Sequence, residues 1–170
     1  MIRILLKLEA RYQRAKHRHR VAALMKQFKD VGPGFQIGEN FLWRGAEAAQ
    51  IGDNCFINRG AFINSDGGLT MGDNVVFGPC SVIWTVDHQI HGNKLPYDEE
   101  RIFRPVTIER NIWAGFGVTV TPGTTIGEGA VIGAGTVVSG QVPPMAIIAG
   151  QKWRQIAERD HQHYERLVQT

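Results

Sequence analysis

Two histidines, His88 and His91, are the residues of this chain best suited to moving a proton. They lie in the run Asp87-His88-Gln89-Ile90-His91, whereas the other four of the six histidines lie close to the two chain ends. An imidazole, with a reference pKa of about 6.5, can accept a proton from a hydroxyl at neutral pH. Residues 84–107, which contain this run, are therefore the first place to look for general-base chemistry.

A six-residue repeat of apolar residues flanks this stretch on both sides. Extra residues enter the repeat only after complete sets of three: two after Trp43, two after Ile63 and nineteen after Ile83. A chain that accepts insertions at one corner in three is winding around a three-sided prism, and about five coils are expected. The repeat positions are Val31, Ile37, Trp43, Ile51, Ile57, Ile63, Met71, Phe77, Ile83, Ile108, Ala114, Val120, Ile126, Ile132 and Val138.

A second inward position is predicted four residues after most of these. The residues there are generally smaller: Cys55, Ala61, Val75, Ser81, Val118, Thr124, Ala130, Thr136 and Val142. Gly, Asp and Asn occupy the intervening corners, where turn conformations are needed. The pattern predicts an all-β solenoid of parallel strands and disfavours a sandwich, whose turns lack a strict six-residue period.

The segments Ile51-Gly52-Asp53-Asn54 and Met71-Gly72-Asp73-Asn74 resemble the hexapeptide-repeat acyltransferases, the family of galactoside, maltose and polysaccharide-biosynthesis O-acetyltransferases. The resemblance covers about residues 31 to 156. It implies a left-handed parallel β-helix, and the hand follows from the resemblance alone. It further implies a homotrimer with active sites at subunit interfaces, acetyl-CoA as cosubstrate, no required metal, and a sugar or polysaccharide-precursor hydroxyl as acceptor.

The resemblance also assigns roles on the acceptor side of the reaction. Thr85-Val86-Asp87-His88 is similar to the family segment that ends in the catalytic histidine, so His88 is expected to be the general base. Asn58 lies thirty residues upstream, at the offset of the family's acceptor-contacting asparagine, and His91 is expected beside the substrate. Asp87 is not expected to orient His88, because neighbours in an extended chain point to opposite faces.

Coenzyme contacts are implied on the next two coils. Asn111-Ile112-Trp113-Ala114-Gly115 resembles the family's Asn-Val-Trp-Ile-Gly, which places Trp113 at the acyl and acceptor end and a backbone N–H near Gly115 at the oxyanion. The run 133–139 resembles the strand that contacts coenzyme A, which assigns Ala134 and Ser139. Arg154 is expected near the nucleotide phosphates, although the family's Gly-x-Pro-Ala ending is absent here. Plain packing for Trp113 and a solvated charge for Arg154 remain alternatives.

The chain ends are predicted to be helical additions to the solenoid. Residues 1–30 form a basic amphipathic segment of one or two helices, residues 31–143 the β-helix with its inserted loop 84–107, and residues 144–170 an extension with a helix from about Trp153 to Val168. The first segment holds nine Lys/Arg against two acids. Two interpretations stay open: it covers the end of the prism, or it makes a peripheral contact with anionic lipid or an acidic glycan carrier.

Composition limits the location, the partners and the functions that this chain could have. Two cysteines without metal spacing, and no apolar run of membrane-span length, indicate a cytoplasmic protein. Nucleic acid is not expected as a partner, because the aromatic residues of a base-stacking platform are missing. Three rival functions remain: N-acetylation of an amino-sugar or xenobiotic amine, a zinc hydratase resembling γ-type carbonic anhydrase, and a catalytically silent trimeric scaffold.

Overall fold

The computed structural model describes residues 2–150 and Gln162. One α-helix, α1 (Ile2–Met25), precedes the strands, so the predicted N-terminal segment contains a single continuous helix. The predicted helix from about Trp153 to Val168 lies outside the described residues, apart from Gln162, and Arg154 lies outside them entirely.

Seventeen short strands wind around three faces, and each strand pairs in parallel with the strand one coil away on the same face. Face A contains β1 (Asp30–Val31), β4 (Ala49–Ile51), β7 (Leu69–Met71), β12 (Val106–Ile108), β15 (Thr125–Ile126) and β18 (Gln141–Val142). Face B contains β2 (Gln36–Ile37), β5 (Phe56–Ile57), β8 (Val76–Phe77), β13 (Trp113–Ala114), β16 (Val131–Ile132) and β19 (Ile147–Ile148). Face C contains β3 (Leu42–Arg44), β6 (Phe62–Asn64), β9 (Val82–Trp84), β14 (Thr119–Val120) and β17 (Val137–Val138).

The winding is that of a left-handed β-helix, and the five expected coils are confirmed. The strands β18 and β19 add two faces of a sixth coil beyond them. The six-residue period does not predict this coil, because the corner after Val138 is two residues shorter than the regular spacing. Val142, which the period assigns to a second inward position, therefore occupies a repeat position opposite Ile126. A 3₁₀ turn, Ala46–Ala48, takes up the insertion after Trp43 at the corner between faces C and A.

The core consists of the inward columns that the repeat predicts. Thirteen of its fifteen repeat positions are buried, and the other two, Val31 and Trp43, are partly buried and pack against the core at the first coil. Ala114, the one small residue of the series, stacks directly on Phe77, so the large ring fills the space that the small residue leaves. All nine predicted second positions are buried as well.

The last turns of α1 close the core at the first coil. Leu24 is buried there, and Phe28 packs edge-to-face on Phe35 and Trp43 at ring separations of 5.5 and 4.9 Å. The Arg20 guanidinium donates to the carbonyl of Phe41 over 2.6 Å. The helix therefore covers the end of the prism, as one of the two interpretations of the N-terminal segment expects.

Truncation of a core column residue should destabilise the fold strongly. Ile63 is fully buried between Trp43 and Ile83 on face C, so Ile63→Ala should lower the free energy of unfolding by about 3 kcal/mol through lost burial and the cavity left behind. The measurement is urea unfolding followed by circular dichroism. Ile2→Ala is the matched control, since Ile2 is 74% exposed. Equal effects of the two variants would contradict the described core.

Candidate functional site

A hairpin interrupts the solenoid at the corner between faces C and A. Its strands, β10 (Val86–His88) and β11 (Arg101–Phe103), form an antiparallel ribbon in which His88 lies opposite Arg101. Buried Thr85 anchors the ribbon, because its hydroxyl donates to the carbonyl of Asn64 and accepts the N–H of Gly67, at 2.8 and 2.9 Å. The predicted loop therefore projects from a fixed root.

His88 lies at the exposed end of β10 and stacks on Tyr97. The two ring centroids are 4.0 Å apart and the rings are tilted by 30°. Asp87, the preceding residue, forms a 3.7 Å ion pair with Arg104. Its carboxylate is thus engaged away from His88, as the alternation of an extended strand predicts. The arrangement suits a base that is open to a substrate and held on one side by an aromatic ring.

His91 follows three residues later in the same hairpin. Its side chain is exposed, and its backbone N–H donates to the side-chain oxygen of Gln89 over 3.1 Å. The structure thus places both histidines on one projecting element, as the sequence predicts.

Asn58 lies on the other side of face C from the hairpin. It occupies the corner between faces B and C, in the turn between β5 and β6, while His88 comes after the opposite corner. The Asn58 side-chain oxygen accepts the N–H of Arg59 over 2.7 Å. The topology of one chain therefore does not bring Asn58 and His88 into one site.

A column of glycines runs along the same B–C corner. Gly78, Gly115 and Gly133 occupy the position that Asn58 holds one coil below Gly78, and a Cβ on Gly115 would approach the Ala134 nitrogen to 2.8 Å. Beside this column Trp113 projects from face B with 61% of its surface exposed. The glycines allow successive coils to approach closely, and they form a track of bare backbone next to an indole.

The N–H group of Gly115 is committed to the solenoid. It donates to the carbonyl of Ile132 over 2.8 Å, and the N–H of Gly117 donates to Pro79 over the same distance. Within the described residues, the N–H of Phe116 between them has no acceptor. Of the backbone donors near Gly115, Phe116 is thus the one available to an oxyanion, and Gly115 itself is not.

The remaining predicted coenzyme residues are divided between two corners. Ala134 is exposed at the B–C corner, and Ser139 is exposed at the corner between faces C and A. Val137, with 53% of its surface exposed, lies between them on face C. These residues follow the edge and outer surface of face C in the fifth coil.

Two features of the candidate site were not predicted from the sequence. Tyr97 lies nine residues after His88 in a segment without any period, and only the ribbon brings the rings together. The free N–H of Phe116 depends on which neighbours pair in the ladder. Neither residue type nor spacing identifies such features in a single sequence.

The two cysteines lie in different environments. Cys55 is buried, and this burial raises the pKa of its thiol above the ordinary value, while Cys80 is exposed. Among the described residues, no cluster of three or more His, Cys, Asp or Glu side chains could hold a metal ion. The described part of the chain also contains no helix long and apolar enough to span a membrane.

Comparison with known proteins agrees with this architecture. Residues 105–140 match the family model described as bacterial transferase hexapeptide (six repeats). Galactoside O-acetyltransferase of Escherichia coli is 32% identical over 148 residues, which cover 85% of this chain and 72% of that protein. Nodulation protein L of Rhizobium meliloti is 39% identical, with 71% of this chain and 66% of that protein covered.

A solved structure gives the same result. The hexapeptide-repeat acetyltransferase of Vibrio cholerae, in complex with acetyl coenzyme A, superposes with a TM-score of 0.69 at 30% identity, over 78% of this chain and 72% of that one. The repeat, the coils and these similarities agree, and the chain belongs to the hexapeptide-repeat acyltransferases.

Proposed function

We propose that this chain transfers the acetyl group of acetyl-CoA to a sugar hydroxyl, with His88 as the general base. The observation that carries the proposal is the hairpin, which is the one long insertion in the described solenoid and presents an exposed imidazole at the outer end of its ribbon. The relative named galactoside O-acetyltransferase supports a sugar acceptor. The acetyl-CoA complex of the Vibrio cholerae relative supports the donor.

The reaction needs one base and one oxyanion donor. His88 accepts the proton of the acceptor hydroxyl as the oxygen attacks the thioester carbonyl, and in this proposal the N–H of Phe116 donates to the oxyanion that forms. The C–S bond then breaks, and the departing thiolate takes the proton from the imidazolium. Thiolate is a good leaving group, so activation of the hydroxyl is the demanding step.

The donor's coenzyme is proposed to lie along the B–C corner of the fourth and fifth coils. The glycine track at Gly115 and Gly133 presents bare backbone beside the Trp113 indole, and exposed Ala134 offers further backbone groups. Ser139 and Arg154 stay proposed contacts of the nucleotide end. An exposed indole next to bare backbone suits the apolar pantetheine arm.

A complete site then requires a second copy of the chain, because Asn58 and His88 lie on opposite sides of face C. In a ring of three prisms, the hairpin of one subunit can reach the B–C corner of its neighbour. Asn58 and His91 would there hold the acceptor, with one residue contributed by each chain. We therefore infer a homotrimer with three equivalent sites between subunits.

The outer surfaces of the prism support this assembly. The outward column of face A is polar throughout, whereas faces B and C present apolar side chains to solvent. Two adjacent apolar faces on each subunit suit a closed ring with head-to-tail contacts. The column of face A consists of Asp30, Gln50, Thr70, Thr107, Thr125 and Gln141, and the apolar residues of the other faces include Leu42, Phe56, Phe62, Val76, Val82, Trp113, Val131, Val137 and Ile147.

Replacing the base should abolish most of the activity without affecting coenzyme binding. His88→Ala should lower turnover by about 10²- to 10⁴-fold, since the acceptor hydroxyl loses its proton acceptor. Thiol release from acetyl-CoA measures turnover across galactosides, maltose, nucleotide sugars and amino-sugars, and calorimetry measures coenzyme A binding. His19→Ala, in exposed α1, is the matched control. Unchanged turnover would show that His88 is not the base. Transfer to amines alone would show that the acceptor group is an amine and not a hydroxyl.

Tyr97 is expected to act as a positioning residue for His88. Tyr97→Ala removes the stacked ring and should lower kcat by about ten-fold with KM for acetyl-CoA unchanged, whereas Tyr97→Phe keeps the ring and should retain activity. Steady-state kinetics of the two variants tests this. If Tyr97→Phe were as impaired as Tyr97→Ala, the hydroxyl rather than the stacking would matter.

The assembly can be tested by adding a charge to one face. Val76→Glu, on face B, should disrupt a species of about three times the 18.9 kDa chain mass, because the carboxylate would be buried in the interface. Thr70→Glu is the matched control, since Thr70 projects from face A in the same coil. Sedimentation velocity of both variants gives the mass. Loss of the trimer in both, or in neither, would contradict the proposed contact.

A further inference from the structure

The helix α1 is much longer than the surface it covers. Its 24 residues extend for about 36 Å. Only the last turns pack on the solenoid, where Leu24 is buried and His17, Val21 and Met25 are partly buried. Every residue from 2 to 16 is exposed, apart from the partly buried Ala10. The first four turns therefore cover nothing in the described chain.

One side of these free turns is apolar. Ile4, Leu5, Leu8 and Tyr12 form an apolar arc, and each is between 54% and 64% exposed. Leu8 and Leu24 are 16 residues apart, which at 3.6 residues per turn places them about 160° apart around the helix. The apolar arc thus points away from the side that packs on the solenoid.

A row of cations runs beside the apolar arc. Arg11 and Arg18 are seven residues apart, so they align along one side of the arc, about 60° and 80° around the helix from Leu8, and Lys16 lies about 80° from Leu8 on the other side. Glu9 is the only acid in α1. Any surface that covers the arc must accept these positive charges. A second copy of α1 would bring two rows of positive charge together, which is unfavourable. An anionic surface would attract the same charges.

We propose that the first four turns of α1 dock on a bilayer that contains anionic lipid. The arc enters the boundary between headgroups and acyl chains, and the basic row contacts the anionic headgroups. The inference concerns a surface remote from His88 and does not depend on the transfer reaction.

The direct test uses the full chain and lipid vesicles. The protein should sediment with vesicles of phosphatidylcholine and phosphatidylglycerol, and much less with phosphatidylcholine alone. Added salt should weaken the binding, since it screens the basic row. Equal partition into both kinds of vesicle, or no binding to either, would overturn the proposal. His88→Ala should bind as the unaltered chain does, so this outcome is separate from that of the enzyme assay.

Matched leucine variants test the orientation of the helix. Leu6 lies 18 residues before Leu24, five full turns, so it is on the packed side and off the arc. Leu8→Gln should weaken binding to the anionic vesicles by about ten-fold, and Leu6→Gln should change it little. Equal losses would overturn the assigned arc.

Charge variants test the basic row. Arg11→Gln and Arg18→Gln should each lower the partition by about five-fold. Sedimentation without lipid identifies the alternative occupant. If Leu8→Gln reduced the mass of the lipid-free assembly, the arc would be covered by a second copy of the chain, and the lipid proposal would be wrong.

Discussion

Stacking of identical positions in successive coils is the constraint on which this structure depends. Each inward side chain rests on its equivalent one coil away, so the core is a set of columns rather than a layer between two sheets. A change in size must be compensated within its column, as Phe77 does for Ala114. Any residue that interrupts the period must leave the wall at a corner. The hairpin with His88 leaves where the earlier two-residue insertions do, at the corner between faces C and A.

The same constraint separates the groups to which the proposed transfer reaction assigns roles. Parallel coils repeat each corner directly above the previous one, so a corner gathers residues of several coils but never those of another corner. Asn58 and the Gly115 track share one edge of face C, and His88 belongs to the other. A rigid triangular wall cannot bend to join them. In the homotrimer that we propose, neighbouring copies join them, which gives the apolar outer faces a role in forming the site as well as in holding subunits together.

The six-residue period predicted what the period itself determines: the faces, the inward columns and the place where the hairpin departs. The sixth coil was missed because the corner after Val138 is two residues short, and a search for equal spacing stops there. The stacking of Tyr97 on His88 was missed for a related reason, since an antiparallel ribbon has no repeat and its turn sets which residues meet. The ladder bond of Gly115 to Ile132 likewise depends on pairing between coils, which composition does not reveal.

The helix α1 is longer than is needed to cover the end of the solenoid. An open coil exposes a row of unpaired backbone groups and needs a cover, which the turns around Leu24, together with Phe28, already provide. Fifteen further residues would form a marginal helix if isolated in water, because nucleation is costly. Here the anchored turns supply the nucleus, and the free turns only extend it. The apolar arc and the basic row are therefore held at fixed positions relative to each other before the helix meets a bilayer. The proposed docking does not require a disordered segment to fold.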